Sequence, residues 1–320
     1  MGMRGLGQIT ELSQIALPNI GVITNIGMSH IEADSLGSRD RIAMAKSELI
    51  SSLPPDGIAV INADDVYADF LRDQSTAKVV TFGFHKNADF RLTDVSYVNN
   101  GLPIFRVNDV LINLRVVGVH HVRNAVATCA VASYFGITPQ EVAEQLTWFT
   151  PPRSRGDHIA LLQNIDILDD TYNAAPDSVR AALETLDVMS NFDIMANKNC
   201  SKRRMVAILG DMAELGKFSL ECHQFVGEKV KELAIDLLIT VGKEAERYAE
   251  IKKGGRLVPV ASSIVKFRTV EEANAEVPSL LQQGDIVLIK GSRVMEMERL
   301  VKALETFYGT HPVVPLHRSR

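Results

Sequence analysis

Apolar runs of strand length alternate with segments of helical period along most of the chain. "IGVITNIG", with its core at residues 21–27, precedes the amphipathic "SRDRIAMAKSELISSL"; "GIAVIN", "DVYADFLRD" and "KVVTFGF" follow. This alternation predicts βαβ units and a mostly parallel sheet, because each buried strand needs a helix to return the chain and cover a face. Between Asp89 and Gly118 the period shortens. "DFRLTDVSYV", "LPIFRV" and "VLINLRVVG", separated by "NNG" and "ND", predict an antiparallel annex of hairpins.

"HHVRNAVATCAVASYFG" reads as a helix closing on glycine, and "TPQEVAEQL" as another, with Thr138 as cap and Pro139 at its first position. The two prolines and the glycine of "TWFTPPRSRGD" put a domain boundary near residue 150, dividing the chain into 1–150 and 151–320. Beyond it, "IDILDD", "RMVAILGDM", "DLLITVG" and "GDIVLIKGS" alternate with helical segments, which predicts a second open α/β sheet of at least four strands. The polar stretch "NFDIMANKNCSKRR" reads as a solvated surface loop.

Composition narrows the function classes. At 320 residues, with 46% hydrophobic and 23% charged positions, the chain has globular proportions and room for two cores. A formal net charge of -5 argues against a general nucleic-acid surface, leaving small molecules as the expected partners. Cys129, Cys200 and Cys222 form no CxxC pair, which fits a reducing compartment. No stretch approaches the roughly 20 apolar residues that span a bilayer, and no signal-peptide pattern opens the chain, so neither membrane insertion nor secretion is expected.

Ligands of open α/β sheets sit beyond the carboxyl ends of the strands, so the polar residues there are the candidates. His30 follows the first strand and Lys46 lies in the next helix; taken alone, they read as readily as a solvated pair. His120 and Asn124 share a helix face near an N-terminus, which can receive an anion or a nucleotide edge. "IDILDDTYNAAPDS" ends a strand in Asp169 and Asp170, followed by Tyr172 and Asn173. Fixed acids there can hold ribose hydroxyls or a metal-bound phosphate, whereas Asp177 is expected to cap the helix that Pro176 opens. "ILGDMAELG" and "LIKGSRVMEME" both run a strand into a charged glycine turn, Asp211 in one and Lys290, Ser292 and Arg293 in the other. The second suits a carboxylate, since a guanidinium binds one bidentately. No GxxxxGK[ST] phosphate loop occurs in the 320 residues.

In order and spacing, "TNIGMSHIE", "AMAKSEL", "GVHHVRNAVA", "SRGD", "LDDTYNAAPDS", "LGDMAELGKFSLECHQFVG" and "KGSRVMEME" resemble the blocks of the Mur ligases across nearly the whole chain. The resemblance implies an α/β fold: a truncated central ATPase domain with a mostly parallel sheet and an antiparallel annex, followed by a Rossmann-like C-terminal domain. It is closest to the branch that adds D-alanyl-D-alanine to UDP-N-acetylmuramoyl-tripeptide through an acyl phosphate in peptidoglycan precursor synthesis, using ATP and Mg2+. It implies His30 and Lys46 as metal ligands, the lysine as a carbamate. Asn124, Arg155, Asp170 and Tyr172 fall on nucleotide contacts, and Asn173, Asp211, Lys290, Ser292 and Arg293 on substrate contacts. A cytoplasmic, monomeric enzyme is implied, with an organelle stroma as the other setting.

His121, Ala175 and Ser154 depart from that pattern, standing where the family commonly has asparagine, asparagine and glycine. "MGMRGLGQIT" resembles a loop from the middle of the ATPase domain, with Gln8 in the place of a glutamate, so the sequence is expected to begin inside that domain. Two readings stay open: a fragment of an active ligase, or a non-catalytic remnant that binds nucleotide or a partner.

Overall fold

The computed structural model describes residues 1–28, 31, 36–98, 101–196, 202–253 and 256–310. The first sheet follows helix α1 (Gln8–Ala16). It has the order β1-β2-β3-β4-β5-β6, built from β1 (Ile20–Ile23), β2 (Ile58–Asn62), β3 (Lys78–Gly83), β4 (Phe90–Val98), β5 (Leu102–Val107) and β6 (Val110–Asn113). The first three strands pair in parallel, crossing over through α2 (Arg39–Ser51) and α3 (Ala68–Asp73). Every residue of β2 is buried, as a central strand covered on both faces requires.

The annex forms as the shortened period predicts, β4, β5 and β6 making an antiparallel meander. Asn108 and Asp109 both take positive φ, 46° and 69°, the pair of left-handed conformations that a tight turn between twisted strands needs. Asn99 and Asn100 of the other hairpin lie outside the described residues. α4 (Val119–Ser133) then lays its alanine-rich face on the sheet, and α5 (Pro139–Leu146) opens with the expected capping box: Thr138 Oγ1 accepts from the Glu141 amide and Glu141 accepts from the Thr138 amide.

The second sheet has six strands, consistent with the expected minimum of four, in the order β13-β10-β9-β14-β8-β7. In chain order it contains β7 (Asp157–Leu161), β8 (Ile165–Asp169), α6 (Pro176–Ala196), β9 (Met205–Gly210), α7 (Ser219–Glu232) and β10 (Leu237–Val241). A two-residue pair, β11 (Lys252–Lys253) with β12 (Arg256–Leu257), precedes β13 (Ser263–Phe267), α8 (Val270–Leu280), β14 (Ile286–Lys290) and α9 (Glu298–Tyr308). Only β7, at the edge, runs antiparallel. One apolar cluster passes between the two sheets, from Ile23, Ile26 and Ile42 through Val117 to Leu168, Val179 and Leu288.

Three sequence expectations change. β1 stops at Ile23 because the next carbonyls are taken by side chains rather than by a neighbouring strand: Asn62 Nδ2 donates to Thr24 O at 2.9 Å and Arg39 Nε to Ile26 O at 2.8 Å. The stretch read as a surface loop at 191–204 is helical through Ala196. At its far end Arg203 is a half-buried tie: Nη1 meets Asp166 Oδ2 at 2.5 Å, and its other nitrogens donate to the carbonyls of Asn164, Gly284 and Asp285. Asp177 lies inside α6 rather than at its cap, and its Oδ2 accepts from the Met28 amide at 3.1 Å, fastening the loop after β1 to the second unit. A Cβ at Gly27 would stand 2.8 Å from that same oxygen, so a larger residue there would have to push the carboxylate aside.

Candidate active site

At the end of β1, Lys46 from α2 is half-buried, and its Nζ donates to Asn25 O at 3.2 Å. Burial lowers its pKa from the usual amine value, with Asp65 opposing. Asp65 is itself occupied, accepting from the amides of Ile26 at 2.7 Å and Tyr67 at 3.0 Å. His30 lies outside the described residues, and among the described residues no group of three or more His, Cys, Asp or Glu could hold a metal ion.

The first turn of α4 faces the linker between the units. The His120 and His121 rings lie 4.2 Å apart. His120 Nδ1, His121 Nε2 and Arg123 Nε are buried without a hydrogen-bond partner in the protein. Burial holds both imidazoles neutral, at pKa values of about 4, with Lys290 and Arg123 adding to the effect at His120 and His120 adding to it at His121. Asn124 is exposed one turn along from His120. Across the linker, the Arg155 guanidinium sits 3.7 Å over the Tyr172 ring. Ser154 explains its own departure: it takes φ 60°, a conformation that favours glycine, and its hydroxyl donates to Asp169 Oδ2 at 3.2 Å while its carbonyl accepts from the Tyr172 amide.

Three neighbouring strands, β8, β9 and β14, end around one cavity of about 290 Å³. Asn173, Ala174 and Ala175 line it from the first, Ala213, Glu214 and Leu215 from the second, and Ser292, Arg293 and Val294 from the third. Beneath it lies a buried pair. Lys290, 3% exposed, donates from Nζ to Asp170 Oδ2 at 2.5 Å and to Asn173 O at 2.8 Å. Burial pushes the carboxyl of Asp170 up and the amine of Lys290 down, and their mutual attraction opposes both. Ser292 is also engaged, its Oγ accepting from the Ala213 amide at 2.7 Å. Arg293 is 64% exposed at the cavity mouth, with Nη1 on Glu298 at 2.8 Å.

A profile described as Mur ligase middle domain matches residues 1–132, and one described as Mur ligase, glutamate ligase domain, matches 154–293. The chain belongs to the Mur ligase family. It is 32% identical over 307 residues to a UDP-N-acetylmuramoyl-tripeptide--D-alanyl-D-alanine ligase of Bacillus subtilis, covering 95% of this chain and 63% of that protein. The fold is similar to MurF from Acinetobacter baumannii, with a TM-score of 0.82 and 27% identity over 96% of this chain and 64% of that one. MurF ligase from Thermotoga maritima, solved in complex with ADP, gives a TM-score of 0.76 and 26% identity over 95% and 65%. The chain thus spans a little under two thirds of the length of these relatives. The two profiles leave residues 133–153 between them, where the prolines stand.

In this Mur ligase chain the substrate candidates separate into two kinds. Asn173, Ser292 and Arg293 line the cavity together, whereas Lys290 and Asp211 do not. Asp211 turns away: its Oδ1 accepts from the Ala245 amide at 2.6 Å, and its carboxylate fills the space a side chain would need at Gly242, where φ is 109°. Asp170 is the counter-ion of Lys290 rather than an unengaged acceptor, which leaves Arg155, Tyr172 and Asn124 as the exposed nucleotide candidates. Asp177, expected from the sequence as a helix cap, instead holds the Met28 amide, and the backbone lining at Ala174 and Ala213 has no side-chain signature in the sequence.

Proposed function

We propose that this chain is the central and C-terminal part, 1–150 and 151–320, of a ligase that joins D-alanyl-D-alanine to UDP-N-acetylmuramoyl-tripeptide. ATP phosphorylates the tripeptide's terminal carboxylate. The dipeptide amine then attacks the acyl carbon, an amide forms and phosphate leaves. The observation that carries the reading is the cavity at the ends of β8, β9 and β14, small, polar-rimmed and with Arg293 at its mouth. Arg293 receives the dipeptide's carboxylate, a charge-assisted contact that exchanges with its exposed pair to Glu298. Lys290 fixes the Asn173 carbonyl and so the wall opposite.

Arg155 and Tyr172 form a stacked platform for the nucleotide next to the two neutral histidines. A bound magnesium ion would supply charge neutralisation at the transferring phosphoryl group. Toward it the chain offers His30 and Lys46. Burial raises the neutral fraction of the Lys46 amine, which is the form that adds carbon dioxide, with loss of a proton, to give a carbamate carrying oxygen ligands. The reading belongs to a monomeric, cytoplasmic enzyme of cell-wall precursor synthesis.

Because the 320 residues hold no GxxxxGK[ST] loop, the chain by itself forms no ADP, and alone it is a nucleotide- and dipeptide-binding body. The test joins it to an upstream Mur ligase segment carrying such a loop and follows ADP release. Release that needs both tripeptide and D-alanyl-D-alanine, and is absent from the 320-residue chain, is the expected result. Release by the short chain, or release indifferent to the dipeptide, overturns the reading.

A further inference from the structure

The cavity wall at Ala213–Leu215 is a turn without regular structure, so something must set its shape. Four contacts from three places, the 245–249 segment, the turn after β14 and α7, contribute to it. Tyr248 Oη donates to Gly210 O at 3.1 Å, and Asp211 accepts from the Ala245 amide. Ser292 accepts from the Ala213 amide, as described. The remaining contact comes from α7. His223, wholly buried one turn after Ser219, accepts from the Met212 amide at Nε2, 3.2 Å, while its Nδ1 lies 2.7 Å from Ser219 O.

These partners fix the protonation state. A carbonyl can only accept, so Nδ1 carries the hydrogen; an amide can only donate, so Nε2 is bare. The imidazole is therefore neutral and of one tautomer. Burial, which lowers its pKa, acts in the same direction. Ser219 Oγ, turned toward Glu244 at 2.5 Å, and the Tyr248 ring at 4.8 Å enclose the imidazole.

We propose that His223 is a positioning residue for the amine substrate: by holding the Met212 amide it sets the Ala213–Leu215 wall of the dipeptide cavity without touching the dipeptide. This rests on the dipeptide reading of the cavity. An alternative held by volume alone would accept any ring of the same size, whereas a clamp needs an acceptor at Nε2.

The test uses the 320-residue chain and three readouts. Imidazole nitrogen shifts should report a protonated Nδ1 and a bare Nε2 near neutral pH. Exchange of the Met212 amide should accelerate by about fivefold or more in His223→Phe, the loss expected for one buried hydrogen bond, and recover in His223→Gln, whose amide oxygen can accept. Affinity for D-alanyl-D-alanine, read by calorimetry, should fall in His223→Phe and recover in His223→Gln. Equal exchange in the Phe and wild-type proteins, or the opposite tautomer, overturns the clamp. A changed exchange rate with unchanged dipeptide affinity overturns the positioning role and leaves the cavity reading standing. Absence of dipeptide binding in the wild-type protein instead contradicts the cavity reading, while the exchange and tautomer results still decide the clamp. Should His223→Phe fail to fold, His223→Gln against His223→Leu gives the same contrast.

Discussion

The two sheets end their parallel strands in different ways. After β1, the exposed ends of the loop at 24–28 are consumed by single side chains reaching in from behind: Asn62, Asp65, Arg39, Lys46 and, from the other unit, Asp177. Each makes one contact there, and the result is a held loop. After β8, β9 and β14 the side chains hold one another's loops, Lys290 on Asp170 and Asn173, Ser292 on Ala213, and a cavity is left between them. The pocket thus lies where three adjacent strand ends of the second sheet are tied to one another across it, whereas side chains from α2, from the end of β2 and from α6 draw the loop after β1 in.

The strongest way to break this contrast is at Lys290. Lys290→Met removes the buried partner of the half-buried Asp170 carboxylate, and chemical denaturation should report a loss of about 3 kcal/mol. Acidification attacks the seam between the regions. His120 and His121 sit at about 4 in the folded protein against 6.5 unfolded, so the unfolded chain binds protons first. Their contribution is complete above pH 6.5 and is lost as pH falls toward 4, on the order of 3 kcal/mol for the coupled rings, and it should vanish from the pH profile of the His120→Gln, His121→Gln protein. Thr138→Ala, which removes the capping box of α5 far from either strand end, should cost about 1 kcal/mol in the same assay. Lys46→Ala should cost least, about 1 kcal/mol or below, because a single hydrogen bond to Asn25 O is lost and Asp65, the nearby carboxylate, keeps its two amide donors. A Lys46 loss equal to that of Lys290 would erase the distinction between the two strand ends.

Much of this was legible in the chain. The βαβ alternation, the annex between Asp89 and Gly118, the Thr138 box and the turn at Asn108 and Asp109 follow from period and local chemistry, which act over a few residues. The roles of charged groups did not follow. "LIKGSR" reads as two cations for an anion, yet tertiary packing buries Lys290 at 3% exposure and leaves Arg293 at 64%, and nothing within the hexapeptide distinguishes them. Arg203 likewise belongs to a polar run that reads as solvated, and only the approach of Asp166 across the sheet makes it a tie. Ser154 was visible as a departure, but its φ of 60° supplied the reason.

The central claim is that the braced strand ends of the second sheet, and not the loop after β1, receive the dipeptide. Titrating D-alanyl-D-alanine into isotope-labelled protein and mapping amide shifts tests it directly. Perturbations should concentrate at 173–175, 213–215 and 292–294 and be strongly weakened by Arg293→Ala. Perturbations centred on 24–28 and Lys46, or a response that Arg293→Ala leaves unchanged, would contradict it.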